Sequence, residues 1–262
     1  MPLISVIVTT YNRRELLAET LSSILNQTFQ DFELIVVDNF SDYDFFSHIE
    51  SFNSSKIKAY QNNNEGIIAA NRNYGLTKRS GDFIAFCDDD DIWLPNKLEK
   101  QIEVFKANEK AKQIIYTEVI LFGSDTKQQI SNRKSIRNIN QLIKRNQIAL
   151  SSTLISYSDV ISFDEDPTLT ACEDFYLWLT LVKNGYSLVY IEDPLIKYRV
   201  NSNSAYNKDA HLSHIKTIHA LVKYTLKFGF RDVKVSSYIY VIYRELFKFY
   251  LKNLIAKFRS NA

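Results

Sequence analysis

The sequence predicts an α/β fold: a mostly parallel central sheet with flanking helices, followed by a helical C-terminal extension. Three observations predict it. Strand-length apolar runs rich in Val and Ile alternate with stretches at helical spacing through the first 123 residues. These runs are nearly continuous in apolar residues, as strands covered on both faces are. The links between successive runs are long enough for helices, and such links make parallel βαβ units with right-handed crossovers.

The elements follow in order. "LISVIVTT" (3–10) is a buried strand, and "RRELLAETLSSILNQ" (13–27) places Leu16, Leu17, Leu21, Ile24 and Leu25 on one helical face. "FELIVVD" (32–38) is a second strand, with a short helix expected at 43–51, and "KIKAYQ" (56–61) a third, weaker one. "GIIAANRNYGLTKR" (66–79) reads as a helix and "DFIAFC" (82–87) as a strand. "LPNKLEKQIEVFKAN" (94–108) reads as a helix with Pro95 at its first position. "KQIIYTEVILFG" (112–123) is a further strand, and 124–150 turns polar and basic, as a loop with a short helix. Strand character returns at 150–160 and at 186–193, on either side of a helix at 172–185 opened by Glu173 and Asp174. Residues 209–262 read as helical throughout.

Composition narrows the function classes. The chain has 262 residues, 45% hydrophobic and 24% charged, with a net charge of +2, so no global field favours nucleic acid as a partner. The two cysteines, Cys87 and Cys172, have neither metal-ligand nor disulfide-framework spacing, which suits a reducing cytoplasm and small buried hydrophobes. "MPLISVIVTTYN" has no basic region or cleavage site, and no run of 18 uncharged apolar residues occurs.

In parallel sheets ligands bind beyond the carboxyl ends of the strands. Three features stand at those ends: Thr9 to Asn12, Asp38 with Asn39, and the run Asp88 to Asp91 in "AFCDDDDIW". Two carboxylates about 4 Å apart repel by roughly 4 kcal/mol at an effective dielectric near 20. Full solvation or a cation must therefore offset the four. The turn after the first strand, "TTYNRREL", has no glycine, and no P-loop occurs, so no glycine-rich cradle for phosphate is present. A divalent ion bridging carboxylate and pyrophosphate would supply the positive charge instead. If the strand geometry persists, Asp88 and Asp90 share one face and Asp89 and Asp91 the other. Asp88 and Asp90 are assigned to the ligand, and Asp91 to capping the turn into the 94–108 helix. The Glu173–Asp174 pair has a plainer reading as well, in helix capping.

The segments "SVIVTTYNRRELLAETLSSILNQTFQDFELIVVDNFS", "NNEGIIAANRNYGL", "GDFIAFCDDDDIWLPNKLEKQ" and "EDFYLWLTL" together resemble glycosyltransferase family 2, from residue 3 to about 204 and in the family's order. The resemblance implies the glycosyltransferase A fold, with a Rossmann-like sheet. It implies a catalytic domain at 1–208, with a nucleotide-binding half to about 122 and an acceptor-binding half from 123, and a separate extension at 209–262. The implied activity is inverting transfer from a nucleotide-sugar, a UDP-hexose or UDP-N-acetylhexosamine, in bacterial surface-polysaccharide or O-antigen synthesis. The acceptor would be a glycan or a sugar on a polyprenyl diphosphate, and the cofactor Mn²⁺ or Mg²⁺.

Residue by residue, the family's nucleoside contacts map to Thr9 and Tyr11, and its second-strand acid to Asp38. Asn39 stands where many members carry another acid near the uracil ring. Arg72 in "ANRN" corresponds to the arginine that approaches the pyrophosphate. Asp88-Asp89-Asp90 matches the family's Asp-x-Asp, with Asp88 near the ribose and Asp90 on the metal. Glu173 and Asp174 match the acidic pair, with Asp174 as the base that takes the acceptor's proton. Asn201 replaces a histidine common in relatives, and His48, His211, His214 and His219 read as ordinary surface or helix residues. Trp93 and Trp178 read as core, with a sugar platform as the other reading of Trp178.

Two other classes stay open on sequence alone. A non-catalytic nucleotide-sugar binding module on the same fold would keep the aspartates but need no base. A phosphoacceptor domain also gathers acids at strand ends, in about half the length. At the C-terminus Arg244, Lys248 and Lys252 recur every four residues among aromatic and aliphatic positions. Such a helix suits either an anionic membrane surface, placing the protein on the cytoplasmic face of the membrane, or packing on the catalytic domain.

Overall fold

The structure, a computed structural model, describes residues 1–108, 110–123, 127–200 and 213–260, with side chains described through Leu251. The strands are β1 (Ile4–Thr10), β2 (Phe32–Asp38), β3 (Ile57–Gln61), β4 (Phe83–Asp88), β5 (Ile92–Trp93), β6 (Gln113–Phe122), β7 (Gln129–Ile130), β8 (Leu154–Ser156) and β9 (Ser187–Arg199). The helices are α1 (Arg14–Leu25), α2 (Phe45–Glu50), α3 (Ile68–Lys78), α4 (Lys97–Ala107), α5 (Ile139–Lys144), α6 (Glu173–Lys183), α7 (Ser213–Phe228) and α8 (Val235–Ser260). Short 3₁₀ turns occupy Leu150–Ser152 and Pro167–Leu169.

The strands join one sheet in the order β3-β2-β1-β4-β8-β6-β9-β5, with β7 on the edge of β6. β1 to β4 run parallel; β8 is antiparallel to both β4 and β6, and β9 is parallel to β6. Alternation along β1 divides the core. Val6 and Val8 pack with Leu17, Leu21 and Ile24 of α1, whereas Ile7 faces Ala69 and Leu76 of α3. Both faces are thus covered, which explains the unbroken burial of β1 and β2.

Several boundaries differ from those expected. α4 begins at Lys97 behind Asn96, so Pro95 precedes the helix rather than opening it. The chain is still held in extended pairing there: Leu94 N–H donates to Leu195 O, and Pro95 O accepts from Thr28 N–H. The 150–160 strand shrinks to β8 behind a 3₁₀ turn. The strand expected at 186–193 instead runs to Arg199. Pro194, which lacks an N–H, sits where the β6–β9 register shifts, so it does not end the pairing. The helical tail breaks into two helices at Gly229, whose φ of 72° is a left-handed turn favouring glycine. Both helices pack on earlier elements of the chain, α7 on α6 and α8 on α5. His48 and His214 are buried rather than at the surface. Trp178 has no exposed surface and is core, not a sugar platform. Asn201, His211 and the expected boundary at 208/209 lie outside the described residues.

One polar network beneath the sheet's carboxyl end places the site. Gln101 on α4 donates to Ile115 O and Ser152 O and accepts from Lys97 Nζ at 2.8 Å, and Lys97 also donates to Thr153 O. All of these atoms are buried, and the Lys97 ammonium lies 3.8 Å over the Trp93 ring. Burial depresses the Lys97 pKa to about 7. The network pins the 150–152 turn, from which Ser151 Oγ accepts Asp88 N–H at 3.0 Å. Replacing Gln101 by Leu leaves two carbonyls and the ammonium short of partners. It is expected to lower unfolding free energy by about 3 kcal/mol in urea titrations.

Candidate active site

The register of the parallel strands brings the predicted residues to one edge. Thr9 pairs with Asp88 across β1–β4, and Thr10 with Asp38 across β1–β2. Asp38 has no exposed surface; its carboxylate accepts from Ser41 N–H, Ser41 Oγ and Gln61 Nε2. It thereby braces the loop after β2, and Ser41 Oγ in turn accepts Asn12 N–H. Asn39 donates its N–H to Thr10 O and accepts Asn64 N–H on Oδ1. Thr9 is buried, whereas the Tyr11 ring is 54% exposed at the mouth of this edge.

The four aspartates are offset by arginines. Arg13 Nη1 reaches Asp89 Oδ1 at 2.8 Å and Asp90 Oδ2 at 3.1 Å, and Thr10 Oγ1 donates to Asp89 Oδ2. Arg199 donates Nε–H to Asp90 O and its backbone N–H to Asp91 Oδ1. Asp91 therefore caps the end of β9, not the turn into α4 as expected, because β9 extends far enough to reach it. Asp89 and Asp91 are buried, while Asp88 and Asp90 keep 32% and 15% of their side-chain surface.

Arg72, 5% exposed, joins two acidic motifs 85 residues apart in sequence (173 − 88). Its Nη2 donates to Asp88 Oδ1 at 2.9 Å and its Nη1 to Glu173 Oε1 at 2.7 Å. Glu173 Oε2 is buried without a partner among the described residues. Asp174, next along the first turn of α6, accepts Phe175 N–H on Oδ1.

Six carboxylates (Asp88 to Asp91, Glu173 and Asp174) thus face three arginines, and the excess negative charge shows in their acidities. Burial, then Glu173, pushes Asp174 up to about 7 against the pull of Arg72. Burial, then Asp88 and Asp89, pushes Asp90 up to about 6. The Tyr198 hydroxyl is held protonated by burial and by the charges of Asp91, Asp88 and Asp174.

Among the described residues no three Asp, Glu, His or Cys side chains group closely enough to hold a metal alone. Asp88 and Asp90 each engage an arginine through one oxygen only. An all-oxygen pair with surplus negative charge fits Mg²⁺ or Mn²⁺, which take one or two carboxylates and complete their shell with water and phosphate.

The model of the family described as "Glycosyl transferase family 2" matches residues 5–161. The chain belongs to glycosyltransferase family 2. This family 2 transferase is 32% identical over 203 residues to Escherichia coli WfgD, a UDP-Glc:α-D-GlcNAc-diphosphoundecaprenol β-1,3-glucosyltransferase; the match covers 77% of this chain and 79% of WfgD. Its fold matches S. aureus TarS 1–349 in complex with UDP-GlcNAc at a TM-score of 0.68 and 20% identity, over 93% of this chain and 71% of that one. The transferase spans 46% of a longer TarS chain. It matches the Pyrobaculum calidifontis mannosyltransferase PcManGT, in complex with GDP-Man and Mn²⁺, at a TM-score of 0.62 and 17% identity, over 89% of this chain and 65% of that one. The glycosyltransferase A fold expected from sequence is therefore the fold of this transferase.

Sequence reasoning passed over Arg13, Ser151, Tyr198 and Arg199, and named Thr10 only as part of the Thr9 to Asn12 stretch. Arg13 had a local signal, since it follows the first strand directly, beside the end of the strand carrying the acids. Arg199 had none, because its approach depends on β9 running past Pro194.

Raised carboxyl groups make the site a source of instability. The folded state binds protons more tightly than the unfolded chain between the ordinary aspartate pKa near 4 and about 7. Their contribution to stability is therefore highest at low pH and is lost as pH rises through that window. Asp90→Asn is expected to raise unfolding free energy by about 2 kcal/mol at pH 7.5 and by little at pH 4, measured by denaturant titration at the two pH values.

Proposed function

We propose that this transferase moves a hexose or N-acetylhexosamine from a UDP-sugar to a hydroxyl of a lipid-linked sugar diphosphate, with inversion at the anomeric carbon. The observation that carries the reading is the Arg72 link, which sets the acids of the strand end beside an α6 carboxylate poised to titrate near neutrality. The kinship with WfgD supports the UDP-sugar donor and the lipid-linked acceptor, and the TarS complex supports a nucleotide-sugar at this fold. Surface-polysaccharide assembly of the O-antigen type is the setting, and a non-catalytic binding module would have no use for Asp174.

In this reading Thr9, Tyr11, Asp38 and Asn39 form the nucleoside side, Asp38 by bracing the loop that carries it. Asn39 presents an amide rather than a carboxylate to the base. Arg72, Asp88 and Asp89 flank the diphosphate, and Asp88 and Asp90 hold a divalent ion. Such an ion, when bound, neutralises charge developing on the leaving diphosphate. Asp174 accepts the proton of the acceptor hydroxyl as its oxygen bonds to the anomeric carbon. The bond from that carbon to the diphosphate oxygen breaks with its electron pair, releasing UDP. Residues to about 122 serve the donor and 123–208 the acceptor. No helix of the described residues is long and apolar enough to cross a membrane, and a lipid-borne acceptor is reached by peripheral contact through α8 at the cytoplasmic face.

Asp174→Asn is expected to cut transfer by roughly 10²–10⁴-fold while UDP still binds in calorimetry. Asp90→Ala should lose Mn²⁺-dependent UDP binding as well as transfer. Unimpaired turnover in either variant defeats the assigned role, and NMR of the product's anomeric proton tests inversion. The acid limb of kcat is expected near pH 7, since protonated Asp174 cannot accept a proton. Glu173→Gln, which removes the neighbouring like charge, should move that limb to lower pH, and Arg72→Met should move it to higher pH.

A further inference from the structure

A cavity of 780 Å³ opens beside Asp174, walled by the end of α5, the start of α6 and the C-terminal helices α7 and α8. None of Arg13, Arg72, Asp88 or Asp90 lines it, so its cations are separate from those that face the strand-end acids. Lys144 and Arg145, at the end of α5, are exposed and form no ion pair with a described carboxylate. Arg244 and Lys248, one turn apart on α8, line the same cavity, and Arg244 Nη1 donates to Lys144 O. Glu245 meets part of this charge: it is 4% exposed and accepts from Arg244 Nε at 2.6 Å and Lys248 Nζ at 3.5 Å. It also accepts from His214 Nδ1 at 2.5 Å. Four cations thus surround a cavity whose acids are Glu245 and Asp174. His214, 8% exposed, lines the same space, and its Nε2 is buried with no partner among the described residues. Because Nδ1 donates to Glu245, Nε2 of the neutral ring is an acceptor, which a hydroxyl of a bound ligand would complete.

Outside the cavity α8 carries a second, apolar feature. Tyr240, Tyr243, Phe247 and Tyr250, spaced by three and four residues, are 53%, 69%, 56% and 68% exposed, and Tyr240 also stands at the cavity wall. One helical stripe therefore leads from the basic cavity to an exposed aromatic surface of the kind that meets apolar chains at a membrane interface.

We propose that this cavity holds the diphosphate of the acceptor, among Lys144, Arg145, Arg244 and Lys248, with the acceptor's sugar toward Asp174 and its lipid chain along the α8 stripe. The proposal rests on the transferase reading above. It makes the C-terminal extension the part of the chain that selects a diphosphate-bearing acceptor. The donor's own diphosphate belongs to the strand-end acids.

The test compares two acceptors bearing the same sugar, one as a farnesyl diphosphate and one as an uncharged farnesyl glycoside, with inorganic pyrophosphate as inhibitor. Wild-type protein is expected to prefer the diphosphate. Arg145→Ala and Lys248→Ala should each raise KM for it by roughly tenfold, with little change in KM for the glycoside. Pyrophosphate should compete with the acceptor. The proposal is overturned if both acceptors weaken alike in the variants, or if pyrophosphate competes only with the nucleotide-sugar. If the wild-type chain consumes no nucleotide-sugar, the transferase reading fails instead, and the cavity is tested by calorimetric titration of the full chain with pyrophosphate. Retained binding in both variants then overturns the cavity assignment, and its loss upholds it.

Discussion

The site depends on one buried guanidinium. Arg72 leaves α3 and binds Asp88 at the end of β4 and Glu173 at the start of α6. A buried arginine is tolerated only when its charge is met by opposite charge in good geometry. Here the partners are 85 residues apart in sequence (173 − 88), so the ion pairs that satisfy Arg72 also hold the end of β4 beside the start of α6. The phenyl ring of Phe163, 5.3 Å from the guanidinium carbon, closes another side. Neither acidic motif reaches this arrangement without the other.

Around that link the structure accumulates more negative than positive charge and leaves it incompletely offset. Arg13 and Arg199 temper the aspartate run, yet Asp90 and Asp174 remain far above the ordinary carboxylate range. A fold selected only for stability would have paired or removed these groups. Both groups stand among the acids gathered where Arg72 joins the end of β4 to the start of α6.

Much of this was legible in the sequence. The apolar runs located β1, β2, β4 and β6 because both sheet faces are covered, and the acids that end β2 and β4 stand on the edge that the sequence pointed to. The four-segment resemblance named the family, whereas the alternation argument lost its premise, because β4 ends at Asp88 and the chain turns at 89–90. What stayed hidden depends on tertiary pairing. Pro194 looked like a strand end, but a register shift absorbs its missing N–H, so Arg199 reached the site unannounced. Asp38 looked like a ligand, yet its carboxylate is fully occupied by Ser41 and Gln61. His214, read as an ordinary surface or helix residue, is on a helix but buried, because α8 covers it, and nothing local to residue 214 reports that.

The turn at 150–152 has a consequence for engineering. Ser151 fastens the backbone of Asp88, while Lys97 and Gln101 fasten the turn from beneath. A chimera that grafts another protein's segment after β6 onto this sheet must therefore carry over the α4 residues that secure the turn. Swapped without them, the new segment would arrive with the backbone of Asp88 unfastened.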